Sequence, residues 1–405
     1  MRILILSQYF WPENFKINYI SEHLSKKYNV EVLTSVPNYP YGHVFKNFQN
    51  KPNNFNYYKK IKIYRVPQIT RGKGSVTRLF FNYISFLITS FLKSFFLKKK
   101  YDLIFVFATS PIFVALIGIF ISKLNKSKTI IWVLDLWPEI LKELKIIKSS
   151  FIIKIIKKIV KYIYLKSDVI LAQSNSFRKI IQKELPQNQK HKVFLFPSWA
   201  DNIKVKPQKN FSKKKFLSIL YVGNIGQAQN LENLIFATQL IKPYIKFKWT
   251  IIGDGRKKDN FISLVKNYSL QKFFNILPFQ NYKYLSKHFN SCDCCYLSLQ
   301  NGKILNSTIP AKLQTYMCFG KPILASISGE GKSIIEKANC GLVSSPNNHV
   351  HLAKNITSLA KMSKAKLKKL GMNSKFFYDN NFTQKKTLQN LDTIIKKLFL
   401  NILIF

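Results

Sequence analysis

A chain of 405 residues, 47% of them hydrophobic, holds enough apolar material for two or three domains and is too apolar for wholesale disorder. Its formal charge is +47, from 65 Lys and Arg against 18 Asp and Glu, so any anionic surface attracts it. Only six of the 65 are Arg, whereas base and phosphate recognition favours the bidentate guanidinium. A membrane surface is therefore the better partner than nucleic acid. The abundance of Asn, Ile, Phe and Tyr beside few Gly and Arg is what an A+T-rich coding sequence imposes, which accounts for part of the Lys excess.

Short apolar runs alternate with amphipathic helices, the signature of a parallel sheet covered on both faces. MRILILSQYF runs into a Pro-bearing loop with no small-residue cleavage site and reads as a strand, not a leader. Strands are predicted at Ile3–Ser7, Val30–Ser35, Ile61–Val66, Leu103–Ala108, Thr129–Leu134, Val169–Gln173 and Lys192–Phe196, with a helix at Ile17–Lys27. A polar, Lys-rich stretch at 201–215 reads as a linker. The alternation resumes at Leu217–Val222, Lys248–Ile252, Phe274–Leu277, Cys294–Leu299 and Pro322–Ser326. This divides the chain into a first domain at 1–200, a second at 216–382, and a C-terminal helix at 383–405 that either caps the second or crosses back to the first. Two doubly wound halves facing each other make a cleft, with ligands at the carboxyl ends of the strands.

Two segments bear on membranes. Leu103 to Ser122 carries no charge for 20 residues, but Thr109-Ser110-Pro111 interrupts it where a strand hands over to a helix. In Leu79–Leu97 the polar residues Asn82, Ser85, Thr89 and Lys93 trace a narrow stripe and leave a wide apolar face that includes Phe86 and Phe91. Arg71, Lys73 and Arg78 precede it and Lys98–Lys100 follow, the pattern of a helix lying in a membrane interface. Phe151–Lys166, with Lys154, Lys157, Lys158 and Lys161 on one face, reads more simply as a core helix with a solvated side. The cysteines 292, 294, 295, 318 and 340 match neither a disulfide framework nor a zinc spacing and read as small buried thiols.

The most informative stretch is PAKLQTYMCFGKP, Pro310 to Pro322, followed by a buried strand and the Gly329-Glu330-Gly331 turn. It sets Lys312 at the mouth of a helix, where backbone N–H groups and a cation together suit a diphosphate. The same grammar also describes an ordinary helix with a Gly C-cap. Further motifs stand at intervals: QYFWPENFKIN (Gln8–Asn18), VLTSVPNYPYG (Val32–Gly42), ATSP (Ala108–Pro111), DLWPE (Asp135–Glu139), YVGNIGQAQNLENLI (Tyr221–Ile235) and IIGDGRKK (Ile251–Lys258). In order and spacing the set resembles glycosyltransferase family 4 across essentially the whole chain. The branch resembled makes O-antigen, capsule and colanic acid and includes N-acetyl-L-fucosamine transferases.

The resemblance implies an α/β protein of GT-B fold, with two Rossmann-like doubly wound domains facing a central cleft. It implies a retaining, metal-independent transfer from a UDP-sugar, an N-acetylated deoxyhexosamine, to a lipid-linked saccharide. No cofactor is expected beyond that donor. The place of work is the cytoplasmic side, peripherally on the inner face of the plasma membrane. Departure of a nucleotide builds negative charge on the diphosphate, which preorganised donors must meet. On the donor side the motifs carry over to Gly223, Asn224, Gly226, Gln227, Gly253, Arg256, Ala311, Lys312, Thr315 and Glu330. Where the family commonly has Arg or Lys after the first strand of the second half, this chain has neutral Asn224 and Gln229. Where it commonly has paired glutamates, this chain has Ser307 and Thr315, which leaves Glu330 as the substitute carboxylate. On the acceptor side the motifs carry over to Glu13, Asn14, Asn18, Asn38, Ser110, Asp135 and Glu139. Asp135 either orients the acceptor hydroxyl or caps the helix begun at Trp137-Pro138. Retention requires no dedicated nucleophile, so no single base is assigned. The rival readings are a UDP-sugar 2-epimerase, which has no use for membrane-seeking helices, and a basic nucleic-acid-binding protein, suggested by charge alone.

Overall fold

The computed structural model describes residues 1–97, 99–143, 146–200 and 216–400, the side chains of 282 and 283 excepted. The expected linker 201–215, Lys98 of the cationic flank and the last five positions lie outside the described residues. The chain divides into two compact units, Met1–Phe196 with Leu388–Phe405, and Pro197–Thr387.

The first unit is built on β1 (Arg2–Ser7), β2 (Asn29–Ser35), β3 (Tyr57–Tyr58), β4 (Ile61–Val66), β5 (Leu103–Ala108), β6 (Lys128–Val133), β7 (Val169–Ala172) and β8 (Val193–Leu195). They form one sheet in the order β3-β4-β2-β1-β5-β6-β7-β8, parallel except for the two-residue edge strand β3. The second unit carries β9 (Leu217–Val222), β10 (Phe247–Ile252), β11 (Phe274–Leu277), β12 (Cys294–Ser298), β13 (Ile323–Ser326) and β14 (Gly341–Ser344), all parallel, in the order β11-β10-β9-β12-β13-β14. Both are Rossmann-like doubly wound sheets, buried on both faces, which is why their strands are continuous apolar runs such as LIFVFA.

Aspartates fix the strand starts. Asp102, Asp168 and Asp293 each stand one residue before a strand and accept an N–H from the first or second residue of a neighbouring one. Arg2 N donates to Asp102 Oδ2 (2.6 Å), Thr129 N to Asp168 Oδ2 (2.8 Å) and Ser218 N to Asp293 Oδ2 (2.7 Å). Three of 18 acidic residues thus serve sheet register, so they are not free for chemistry.

The segment Leu103–Ser122 is split between β5 and the helix Val114–Asn125, and among the described residues no helix is long and apolar enough to cross a membrane. The C-terminal helix is Gln384–Phe399, and its residues from Leu388 belong to the first unit. There Asp392 lies 2.9 Å from the His23 ring and accepts from Lys27 at 2.6 Å.

The helix Val76–Ser94 corrects one expectation. Its polar stripe points inward: Asn82 is fully buried, accepting from Gln8 (2.9 Å) and donating to the Ile69 carbonyl (2.6 Å), while Thr89 donates to the Pro67 carbonyl (2.8 Å). Phe86 is buried with that stripe and does not belong to the outer face, which is instead Val76, Phe80, Phe81, Ile84, Ile88, Leu92 and, partly, Phe91. The helix Ser150–Lys166 buries Ile156, Val160, Ile163 and Tyr164, as a core helix does, yet exposes Phe151, Ile152 and Ile155 at its start.

Replacing Asp293 by Ala should lower stability by about 1–3 kcal/mol, since the Ser218 N–H loses a charged acceptor at a strand start. Asp293→Asn, which keeps an acceptor, should lose less. Urea denaturation of the three proteins tests this, and an Ala variant with an unmoved midpoint refutes the register role.

Candidate functional site

In the second unit the strand order reverses between β9 and β12, and ligands of doubly wound sheets bind beyond the carboxyl ends at such a point. Two glycine turns meet there. Gly223, directly after β9, has φ +138°, and a Cβ on it would come 2.5 Å from Lys312 Cε. Gly253, directly after β10, leaves no room either, since its Cβ would fall 1.9 Å from the Gly223 carbonyl oxygen. Backbone bonds lock the turns together, Ile225 N to the Asp254 carbonyl (2.7 Å) and Lys257 N to the Ile225 carbonyl (3.0 Å). The Gly226 N–H is already taken by Gln229 Oε1 (3.2 Å), which also accepts from Asn224 Nδ2 (3.2 Å). Gln300, after β12, donates its N–H to the Ala228 carbonyl at 2.7 Å.

The helix Ala311–Cys318 points its N-terminus at this junction. Its end is a Schellman motif: Gly320, at φ +61°, donates to the Met317 carbonyl (2.9 Å) and Lys321 N to the Tyr316 carbonyl (3.2 Å). The Lys321 side chain is buried and donates to the Cys292 carbonyl (2.9 Å), so this second lysine of the stretch is structural.

Lys312 is different. Its ammonium hydrogen-bonds the Tyr221 hydroxyl and sits 4.0 Å from that ring's centroid. Among the described residues no carboxylate pairs with it. Part of the residue reaches the surface, but protein packs so densely around the amine that burial lowers its pKa to about 7. Tyr221 is buried, and its hydroxyl also binds the Asn224 carbonyl at 2.5 Å. One phenol therefore fixes both the cation and the glycine turn. Sequence reading passed over Tyr221 because, inside the apolar run LSILYV, it looks like any core aromatic.

Glu330 is not in a turn but in the first helical turn of Gly329–Lys337. A Cβ on Gly331 would lie 3.4 Å from Pro310, so this helix start is a neighbour of the one bearing Ala311 and Lys312. Ser307 and Thr315, which stand where glutamates were sought, turn their hydroxyls onto the Lys303 and Ala311 carbonyls. Arg256 is exposed beyond the Gly253 turn, and Gln227 is exposed beside the β9 loop. A cavity of about 140 Å³ opens there against Ile225, Gly226, Gln227, Lys257, Phe261 and Gln300; Lys312 and Glu330 do not line it.

In the first unit the motif loops gather at the carboxyl edge of the sheet, and Trp11-Pro12, Tyr39-Pro40, Ser110-Pro111 and Trp137-Pro138 are all cis. Glu13 is buried and accepts from three backbone N–H groups, of Phe10 (3.2 Å), Asn38 (2.8 Å) and Tyr39 (2.6 Å). Burial pushes its pKa to about 7 against those donors, which favour the carboxylate. Asn18 ties the same loop, accepting from Trp11 N (3.2 Å) and donating to the Glu13 carbonyl (2.7 Å). Asn38 is buried and donates to the Val36 carbonyl (3.1 Å), whereas Asn14 is exposed. Glu13, Asn18 and Asn38 thus join two loops to each other.

Asp135 accepts from Ser110 Oγ at 2.7 Å, and Trp137 Nε1 donates to the same hydroxyl at 3.0 Å. Burial raises the Asp135 pKa, and the Ser110 bond opposes the rise. Glu139 points elsewhere. It lines a small cavity with Trp137, Lys157, Lys161, Tyr164 and Glu184, so the two carboxylates of the DLWPE motif are not brought together.

Comparison with known proteins agrees with this fold. Residues 202–375, within the second unit, match the family model described as "Glycosyl transferases group 1". The chain is 24% identical over 290 residues to the probable glycosyltransferase WbjE of Pseudomonas aeruginosa, covering 66% of this chain and 68% of that one. It is 29% identical over 213 residues, 49% of this chain and 55% of the relative, to a Campylobacter jejuni protein. That protein is named N-acetylgalactosamine-N,N'-diacetylbacillosaminyl-diphospho-undecaprenol 4-alpha-N-acetylgalactosaminyltransferase. Among solved structures, Anabaena HepE in complex with UDP superposes with a TM-score of 0.71 at 13% identity, covering 98% of this chain and 100% of that one. The fold is GT-B, and residues 202–375 are similar to the glycosyl transferases group 1 family.

Proposed function

We propose that the protein is a retaining glycosyltransferase that moves a sugar from a UDP donor to a lipid-linked saccharide in bacterial surface polysaccharide synthesis. The observation that carries this reading is Lys312, an ammonium without an ion-pair partner among the described residues, held by Tyr221 over the Gly223 turn and at a helix start. Such a site is made for a diphosphate, whose charge grows as the sugar departs. No metal is needed in this reading, because Lys312 and the helix N-terminus meet that charge. Glu330, on the neighbouring helix start, is the carboxylate for a ribose or sugar hydroxyl. Asp135, with Ser110, is the candidate for orienting the acceptor hydroxyl. The UDP complex of HepE supports the choice of donor nucleotide, and the Campylobacter relative's name supports an N-acetylated sugar and a lipid diphosphate acceptor. The deoxyhexosamine assignment rests on the motif resemblance alone.

The same reading sets the protein on the cytoplasmic face of the plasma membrane. Its support is the reversed helix Val76–Ser94, which buries its polar stripe and exposes Phe80, Phe81, Ile84, Ile88 and Leu92. Phe91 and Phe95 pack on Phe120 of the helix Val114–Asn125 (4.8 and 5.4 Å), and Lys123 of that helix reaches Tyr162 of Ser150–Lys166 (3.3 Å). Three adjoining helices thereby present apolar side chains among lysines, which suits an anionic interface.

Lys312→Ala should cut transfer roughly a hundredfold, about 3 kcal/mol in barrier, with the fold intact. UDP binding should carry a pH signature. Near pH 7 the free amine is partly neutral, and a bound diphosphate raises its pKa, so binding takes up protons and weakens as pH rises above 7. Calorimetry in buffers of different ionisation heat measures the uptake. Near-normal transfer by the Ala variant, or UDP binding without proton uptake in the wild type, sinks the assignment.

On vesicles containing anionic lipid, binding should fall steeply with salt, because each Lys or Arg near the surface adds about 1 kcal/mol. Phe80→Lys with Ile88→Lys should release the protein further while UDP affinity stays unchanged. Wild-type protein that ignores anionic vesicles at low salt refutes the membrane role.

A further inference from the structure

Arg71 lies between β4 and the helix Val76–Ser94, in a loop whose backbone is fastened on several sides. Arg71 N donates to Asn38 Oδ1 (3.4 Å), Gly72 N to the Gly42 carbonyl (2.9 Å) and Gly74 N to the Arg71 carbonyl (3.0 Å). Gly42 has φ +81°, and a Cβ there would strike the Gly72 carbonyl oxygen at 1.9 Å, so the two loops fit only without a side chain. From the helix, Arg78 Nε closes onto the Thr70 carbonyl at 2.7 Å.

That fixed backbone holds a guanidinium with unoccupied donors. Arg71 is half-buried, lies 4.9 Å from the centroid of the Tyr39 ring, and among the described residues its side chain makes no hydrogen bond or ion pair. Its neighbours behave otherwise. Arg65 donates to the Ser35, Trp11 and Phe55 carbonyls, and Arg78 to Thr70. Around Arg71 stands an aromatic wall in which Tyr39 contacts Tyr9 (5.6 Å) and Phe15 (5.2 Å). Burial raises the phenol pKa of both Tyr9 and Tyr83, and the Arg71 charge opposes it in each; Tyr83 also feels Asp135. Arg71, Tyr83 and Asp135 therefore form one electrostatic neighbourhood at the carboxyl edge of the first sheet. The outward apolar face begins at Val76, five positions on.

We infer that Arg71 is the anion-binding residue of the first unit and takes the diphosphate of the acceptor, whose apolar chain leaves along the outer face of Val76–Ser94. The inference rests on the transferase reading and names how its acceptor is held. A guanidinium fork matches two phosphate oxygens at once, which an ammonium cannot do. Phosphates also reach the protein as free anions, so the test separates the two sources.

The full chain and its Arg71→Met and Arg71→Lys variants are titrated with farnesyl diphosphate, inorganic pyrophosphate and UDP, and their melting temperatures are measured. The Met variant should bind farnesyl diphosphate about tenfold or more weakly, with Lys between, while UDP affinity and melting temperature stay at wild-type values. Wild-type protein should prefer farnesyl diphosphate to pyrophosphate. Unchanged farnesyl diphosphate affinity in Arg71→Met overturns the inference, as does an equal loss of UDP binding or of stability. Equal wild-type affinity for the two diphosphates overturns the part played by the apolar chain. Wild-type binding of UDP without farnesyl diphosphate defeats this inference alone; failure to bind UDP at all defeats the donor reading instead.

Discussion

The close approach of Gly223 and Gly253 is the constraint on which the second unit's site depends. With a Cβ at either position, carbonyl oxygen or lysine methylene would have to move by more than an ångström. Because both lack one, the turns after β9 and β10 touch backbone to backbone, and the stem of Lys312 lies flat against the first. Everything else follows from that contact. The amine is carried over the Tyr221 ring, the phenol reaches the Asn224 carbonyl, and the helix beginning at Ala311 is aimed at the end of β9. A glycine here is a space requirement, not a concession to flexibility.

How much of this was readable in the sequence depends on the length scale of each cause. The alternation of apolar runs and helices located twelve of the fourteen strands among the described residues because parallel strands buried on both faces are unbroken Ile, Leu, Val and Phe. β14 escaped because GLVS is brief and its first residue is a glycine, required where a Cβ would fall 1.9 Å from the Ile323 carbonyl oxygen. β3 escaped because two residues carry no period. The sidedness of Val76–Ser94 was legible only as a pattern. Period alone says that polar and apolar faces differ, not which one looks inward, and here Asn82, Ser85 and Thr89 find partners in the loop after β4.

The site divides in the same way. Motif resemblance pointed to Lys312, to the glycine turns and to the loops around Glu13, Asn38 and Asp135, because those features recur as local strings. It was silent on Tyr221, 91 positions from Lys312, and on the side-chain freedom of Arg71, since neither partnership has a local signature. It also carried Asp135 and Glu139 of the DLWPE motif over together to the acceptor side. The structure turns one to Ser110 and the other toward Lys157 and Tyr164. Glu13 shows the converse: a scarce carboxylate in a motif loop whose oxygens meet three backbone N–H groups, which makes it a fastener of two loops.

Asn224 and Gln229, beside the Gly223 turn, are neutral and hydrogen-bond each other, so burial alone sets the character of Lys312. A second cation at either position would hold both pKa values down until an anion arrived, since like charges disfavour each other. In this chain a single amine achieves a similar state through burial, with no carboxylate among its causes. A carboxylate partner would have raised the pKa and satisfied the ammonium, leaving less to gain from a ligand. Tyr221 supports the charged form only weakly, through a ring face and one hydroxyl, so the cation stays incompletely compensated. A buried amine in that condition favours whatever anion can enter. A departing diphosphate carries more negative charge than the intact donor, so the interaction is stronger at the transition state than in the ground state, which is the direction catalysis requires.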